Sequence, residues 1–117
     1  MPFKLTAPIT ITEIFEGQEI QKVITAQYFK INKISIEPSY DEEFTKNRCF
    51  IFIVFYNFQN NTRIPVASYN LDCNYDEIFN QDIPTGITKI GEAIKQIAYN
   101  YVANKLNAQG EYIPTEE

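Results

Sequence analysis

The sequence predicts an α+β fold: a four- to five-stranded antiparallel sheet, or a small sandwich, followed by one C-terminal amphipathic helix. Three observations predict it. Before residue 72, apolar and aromatic residues either alternate with period two or form short continuous runs. Turn-forming residues separate these segments. After residue 86 the apolar residues recur every three or four positions, which is typical of a helix.

The first two predicted strands cover residues 7–15 and 22–36. In the first, Ile9 and Ile11 alternate with threonines. Glu16-Gly17 offers a turn between the two strands, because glycine tolerates positive φ. In the second strand the apolar positions change parity around Asn32-Lys33. A one-residue slip would turn every later side chain to the opposite face, so we expect a bulge or bend there.

The next two predicted strands, residues 49–58 and 63–71, form an antiparallel hairpin across Gln59–Thr62. Pro65 cannot donate to a ladder, which predicts that the second of them lies at a sheet edge or carries a bulge. The polar segment Ser39–Arg48, which precedes this hairpin, is predicted to be a surface connection.

A polar, acidic loop is predicted over Asp72–Gln81, with Tyr75, Ile78 and Phe79 able to hold it down. The helix is predicted over residues 86–106, with Thr85 or Thr88 as N-cap and its end at Asn107 or Gly110. Residues 110–117 are predicted to be a loose tail. The helix stripe consists of Ile87, Ile90, Ile94, Ile97 and Tyr101, widened by Ala98, Val102 and Leu106.

The stretch Cys49–Phe58 is apolar on both sides of the predicted strand. Phe50, Phe52, Val54, Tyr56 and Phe58 point one way, and Cys49, Ile51, Ile53 and Phe55 point the other. A single helix covers one face, so we expect the second set to meet a folded-over sheet, the long loops or another polypeptide. The predicted interface residues are Ile51, Ile53, Phe55, Ile64, Val66 and Tyr69.

Length, charge and composition limit the classes of function that fit this chain. A chain of 117 residues suits one domain, residues 1–117. The net charge of −5, without a Lys/Arg run, argues against nucleic-acid binding. Met1–Phe15 does not read as a signal peptide, and the longest apolar run is too short to cross a membrane as a helix. We therefore expect a soluble protein without a membrane partner.

No catalytic motif stands out. The chain has no histidine, which excludes an imidazole base or ligand. Its four glycines are too scattered for a phosphate-binding loop. Asp72, Asn74 and Asp76 have the spacing of a calcium loop, but Glu77 and Ile83 occupy positions that need glycine and glutamate. Cys49 and Cys73 are expected to be reduced thiols. We therefore predict no enzyme activity, catalytic residue, metal, cofactor or small-molecule substrate.

The layout of Ile9-Thr10-Ile11-Thr12, Lys33-Ile34-Ser35-Ile36, the aromatic hairpin, the acidic connection into Ile83-Pro84 and the isoleucine-spaced helix resembles small virion proteins of tailed bacteriophages. These are short, strand-rich, one-helix subunits of tails, necks and capsid surfaces. The resemblance implies a non-enzymatic structural subunit present in many copies around a ring or tube, with itself and other virion proteins as partners. It also implies a location in the virion, assembled in the bacterial cytoplasm.

A different class of function stays open. The chain would then be a small acidic binding or inhibitor module for a basic protein, with Asp41–Glu43 and Asp72–Asp82 as an acidic decoy. Such a module would bind its partner in a salt-sensitive way. An enzyme is the third alternative, and it would need a strongly perturbed carboxylate in a deep pocket.

Overall fold

The computed structural model describes residues 2–37 and 48–113, and its main element is a five-stranded antiparallel sheet. In chain order the elements are β1 (Pro2–Leu5), β2 (Ile9–Phe15), β3 (Gln18–Ile24), β4 (Tyr28–Glu37), β5 (Arg48–Gln59), β6 (Thr62–Asn74), α1 (Tyr75–Phe79), α2 (Ile90–Lys105) and β7 (Gly110–Tyr112). The large sheet has the order β6-β5-β4-β1-β7, and β2 and β3 form a separate two-stranded sheet. The strand-rich α+β fold with a helix near the C-terminus is confirmed.

The segment predicted as one strand over residues 22–36 consists of two strands in two sheets. β3 ends at Ile24, β4 begins at Tyr28, and residues 25–27 join them. Gln27 fixes this link to β5, because its backbone N–H donates to Asn57 Oδ1 and its side-chain Oε1 accepts from the Phe58 N–H, both at 2.8 Å. The predicted strand 22–36 is therefore wrong as a single element.

Both expected irregularities in the large sheet are present. The register of β4 against β5 shifts between Ile31 and Lys33, which confirms the bulge predicted from the parity change. The register of β5 against β6 shifts between Phe55 and Tyr56, where β6 moves from Ala67 to Pro65. β6 is also an edge strand, so Pro65 lies where a missing N–H is tolerated.

The two long hairpins close through two-residue turns with positive φ at both positions. The values are 51° and 77° at Glu16 and Gly17, and 54° and 62° at Asn60 and Asn61. Such turns match the twist of the strands they join. The first turn confirms the prediction; the second is tighter than the expected loop over Gln59–Thr62.

α2 begins four residues later than predicted. Lys89 is its N-cap and makes no side-chain capping bond, so the predicted caps at Thr85 and Thr88 are wrong. At the other end Asn107 has φ 51°, and the Ala108 N–H donates to the Ala103 carbonyl at 2.8 Å, so the helix stops as predicted.

The predicted apolar stripe is confirmed in its C-terminal half, where Ala98, Tyr101, Val102 and Leu106 are buried, and wrong for its isoleucines. The buried residues within α2 are Ala93, Ala98, Tyr99, Tyr101 and Val102. Ile90 is 72% exposed, Ile94 and Ile97 are only half-buried, and Ile87 precedes the helix. Ile90, Ile94 and Ile97 instead line a groove beside α1.

The core lies between α2 and one face of the large sheet, which we call the helix face. It contains Cys49, Ile51, Ile53 and Phe55, each with no exposed surface. Phe29 stacks on Phe3 at 4.8 Å and on Tyr99 at 5.7 Å between ring centroids. The Tyr99 hydroxyl accepts a hydrogen bond from the Ile31 N–H at 3.0 Å, next to the β4 bulge. The set of β5 residues that we expected to lack cover is therefore the set beneath the helix.

Two segments predicted to be irregular contain regular secondary structure. β6 continues to Asn74 and α1 follows it, so most of the predicted loop Asp72–Gln81 is regular structure, held down by Ile78 as expected. β7 forms within the predicted tail and pairs with β1. Of the predicted connection Ser39–Arg48, residues 39–47 lie outside the described residues.

Candidate interaction surfaces

The six predicted interface residues do not share one surface. Ile51, Ile53 and Phe55 belong to the helix face and are fully covered by the chain itself, so they offer no surface to a partner in this fold. Ile64 and Val66 are exposed on the edge strand β6. Tyr69 packs against the core and is half-buried. The exposed members therefore lie along one sheet edge.

The opposite face of the large sheet, which we call the open face, carries the other set of β5 side chains. Phe52 and Phe58 are each 38% exposed, and Phe50 and Val54 are half-buried. Register partners share a face, so this side also contains Lys33 and Asn70 beside Phe52. A shallow groove of about 460 Å³ runs there, lined by Lys33, Ser35, Phe50, Phe52 and Asn70.

An aromatic cluster covers one end of the open face. Tyr56 stacks on its register partner Tyr28 at 5.5 Å, and Phe58 meets both rings edge-on at 5.4–5.6 Å. The Arg63 guanidinium lies 5.4 Å from the Tyr56 ring centroid and 5.9 Å from that of Phe58. Tyr56 is nearly buried as a result. This end of the face is already packed, and the groove lies toward the other end.

The open face is cationic although the whole chain is acidic. The register places five cations and two carboxylates on it among the described side chains, a net charge of +3: Lys4, Lys30, Lys33, Arg48 and Arg63, with Asp72 and Glu111. Arg48 pairs with Asp72 at 3.4 Å and lies 5.0 Å from the Phe50 ring centroid. No Lys/Arg run marks this surface in the sequence, because its cations come from four different strands.

β2 and β3 form a hairpin, which we call the arm, whose base joins the core and whose outer part does not. Ile9, Ile11 and Ile24 at the base are buried. Farther out, Ile14 is 76% exposed and Phe15 63%, and Ile20 and Val23 are exposed as well. Register partners show that Phe15 and Ile20 continue the face of the buried base, whereas Ile14 and Val23 lie on the other face.

A smaller apolar groove of about 200 Å³ lies between α1 and the N-terminal half of α2. Its lining includes Ile78, Phe79 and Ile97, and the exposed Ile83 and Ile90.

The α1 carboxylate of Glu77 has polar partners on α2. Glu77 accepts from the Tyr101 hydroxyl at 2.9 Å and lies 3.4 Å from the Lys105 ammonium.

The two cysteines face each other across β5 and β6 as register partners, and both are free thiols. The Cys73 thiol donates to the Cys49 carbonyl at 3.1 Å. Burial raises the pKa of both thiols, that of Cys73 to about 12. Few thiolates therefore form at neutral pH, and nucleophilic chemistry is disfavoured.

Within residues 2–37 and 48–113 no group of three or more Cys, Asp or Glu side chains could hold a metal ion. None of the described helices has the length and apolar character that a membrane crossing requires. Comparison of the chain with family models, curated proteins and solved structures gave no match.

Proposed function

We propose that this protein is a non-enzymatic structural subunit of a multi-copy assembly and acts through protein-protein interfaces. The main support for this proposal is the arm. Large apolar side chains on both faces of a two-stranded sheet are exposed there, and a lone hairpin of this kind is only marginally stable in water. An arm that gains its cover from a neighbouring subunit accounts for these side chains.

The shape of the chain supports a role in contacts beyond the monomer. The radius of gyration is 15.4 Å, whereas a compact domain of this length has an expected value of about 13 Å. The long edge strand β6, with Ile64 and Val66 exposed, adds a second surface with unpaired backbone groups.

The proposed assembly is a phage virion, and the subunit a tail, neck or capsid-associated protein. Its partners would be other copies of itself and other virion proteins, without nucleic acid, membrane or small-molecule substrate. The resemblance of the element layout to small virion proteins supports this assignment.

The acidic-module alternative has less support. Asp41–Glu43 lie outside the described residues, and Asp72 and Glu77 are paired with Arg48 and Lys105 of the same chain. Paired carboxylates are weaker attractants for a basic partner than free ones.

Sedimentation velocity of the purified chain from low to high micromolar concentration tests the proposal. We expect discrete oligomers in the wild type and dissociation in Ile14→Ser/Phe15→Ser. The matched control, Thr10→Ser/Thr12→Ser, changes the same strand but removes only one methyl group at each position and keeps Ile14 and Phe15, so it should associate like the wild type. A wild-type chain that stays monomeric throughout would refute the proposal.

A further inference from the structure

The arm and the open face have opposite charge. The outer arm contains Glu13, Glu16 and Glu19 against one cation, Lys22, a net charge of −2. The open face has a net charge of +3 among the described side chains. Complementary charge of this kind selects partners and fixes their register.

The two surfaces also match in their apolar parts. The groove beside Phe50 and Phe52 presents aromatic carbon with Lys33 at its rim. The arm presents Ile14 and Phe15, with Glu13 and Glu16 as their immediate neighbours in the chain. Packing of an aromatic or aliphatic side chain on a phenylalanine ring is energetically favourable. A carboxylate beside a lysine ammonium is also stabilised by the opposite charge.

Within one copy, the outer arm does not cover the open face. Residues 6–8 link the arm to β1, and residues 25–27 link it to β4. In this arrangement the apolar side chains of the outer arm are exposed, and so is part of the open face. Both surfaces are therefore available to a second molecule.

We propose that the acidic, apolar arm of one copy docks on the cationic open face of the next copy, with Ile14 or Phe15 in the groove beside Phe52 and the arm glutamates near Lys33. The proposal rests on the function proposed above and names the two surfaces that join the subunits. Because the surfaces differ, the contact is head-to-tail and generates a ring when the rotation closes, or a filament when it does not.

Charge reversal tests the contact in the full-length chain, with association measured by sedimentation velocity and folding checked by circular dichroism. Lys33→Glu and Glu16→Lys should each weaken self-association by about tenfold or more, because each places like charges at the contact. A mixture of the two variants should associate better than either alone, since each supplies the charge that the other lacks. Lys89→Glu makes the same charge change outside the open face and should leave association unchanged.

The outcomes separate this inference from the proposed function. A wild-type chain that never associates overturns both. Normal association of Lys33→Glu and Glu16→Lys leaves the assembly proposal standing and overturns the arm contact. The open face would instead be a nucleic-acid surface if Lys33→Glu retained self-association but lost binding of a fluorescent single-stranded oligonucleotide, and that result also overturns the arm contact.

Discussion

Replacing Phe55 and Phe52 separately by alanine tests which side of β5 lies in the core. Phe55 has no exposed surface, and its ring centroid lies 6.1 Å from that of Phe29 beneath α2. Phe55→Ala leaves a cavity and should lower the free energy of unfolding by about 3–5 kcal/mol. Phe52 is 38% exposed on the open face, where water fills the vacated space. Phe52→Ala should cost only about 1–2 kcal/mol.

The assay is equilibrium urea unfolding followed by far-ultraviolet circular dichroism and tyrosine fluorescence, because the chain has no tryptophan. Domains of this size unfold with a free energy of about 5–15 kcal/mol, so the larger loss is measurable in most of that range. If Phe55→Ala does not fold, Phe55→Leu and Phe52→Leu give the same ordering at smaller cost. Equal losses at the two positions, or a larger loss at Phe52, would refute the assignment of the helix face.

Three further predictions concern the core polar groups and β7. Burial raises the pKa of the Tyr99 hydroxyl to about 12, above the value of about 10 expected in the unfolded chain. The native state therefore prefers the protonated form, and stability should fall as pH rises from about 10 to 12; alkaline denaturation of Tyr99→Phe should show a shallower slope. Cys49 and Cys73 should react with a thiol reagent at least about tenfold more slowly in the native chain than in urea, since both pKa values are raised by burial; equal rates measured by mass spectrometry would contradict this. Gly110→Ala should lower the free energy of unfolding by about 2 kcal/mol or more, because φ is 149° and an added Cβ would overlap the Lys4 carbonyl oxygen; thermal unfolding at the wild-type midpoint would show that this close approach is dispensable.

The sheet irregularities could be predicted because each one is visible in the local sequence. The change of apolar parity around Asn32-Lys33 requires a compensating residue, and Pro65 lacks a donor wherever it is placed. The break between β3 and β4 is not visible in this way, since Thr25-Ala26-Gln27 contains neither glycine nor proline. The long-range bonds of Gln27 to β5 explain the break, and those are not visible from local sequence.

The candidate site was less accessible to sequence reasoning than the fold. Periodicity separates the two faces of β5 but does not say which of them a helix covers. The contacts of Tyr99 with the Phe29 ring and with the Ile31 N–H place α2 on the face that carries Phe55, and these contacts are long-range. The positive charge of the open face arises because the strand register places Lys4, Lys30 and Lys33 on the same side of the sheet. The net charge of the whole chain is −5, so composition alone does not indicate such a surface.

The pairing of β1 with β7 has a consequence for folding during synthesis. Phe3 is synthesised long before its register partner Tyr112, since nearly all of the described residues lie between them. The β5-β6 hairpin and the arm need only local contacts and can form while translation continues. β1 cannot complete its pairing with β7 until Tyr112 has been synthesised, so in the growing chain this side of β1 keeps unpaired backbone groups after the local hairpins have formed.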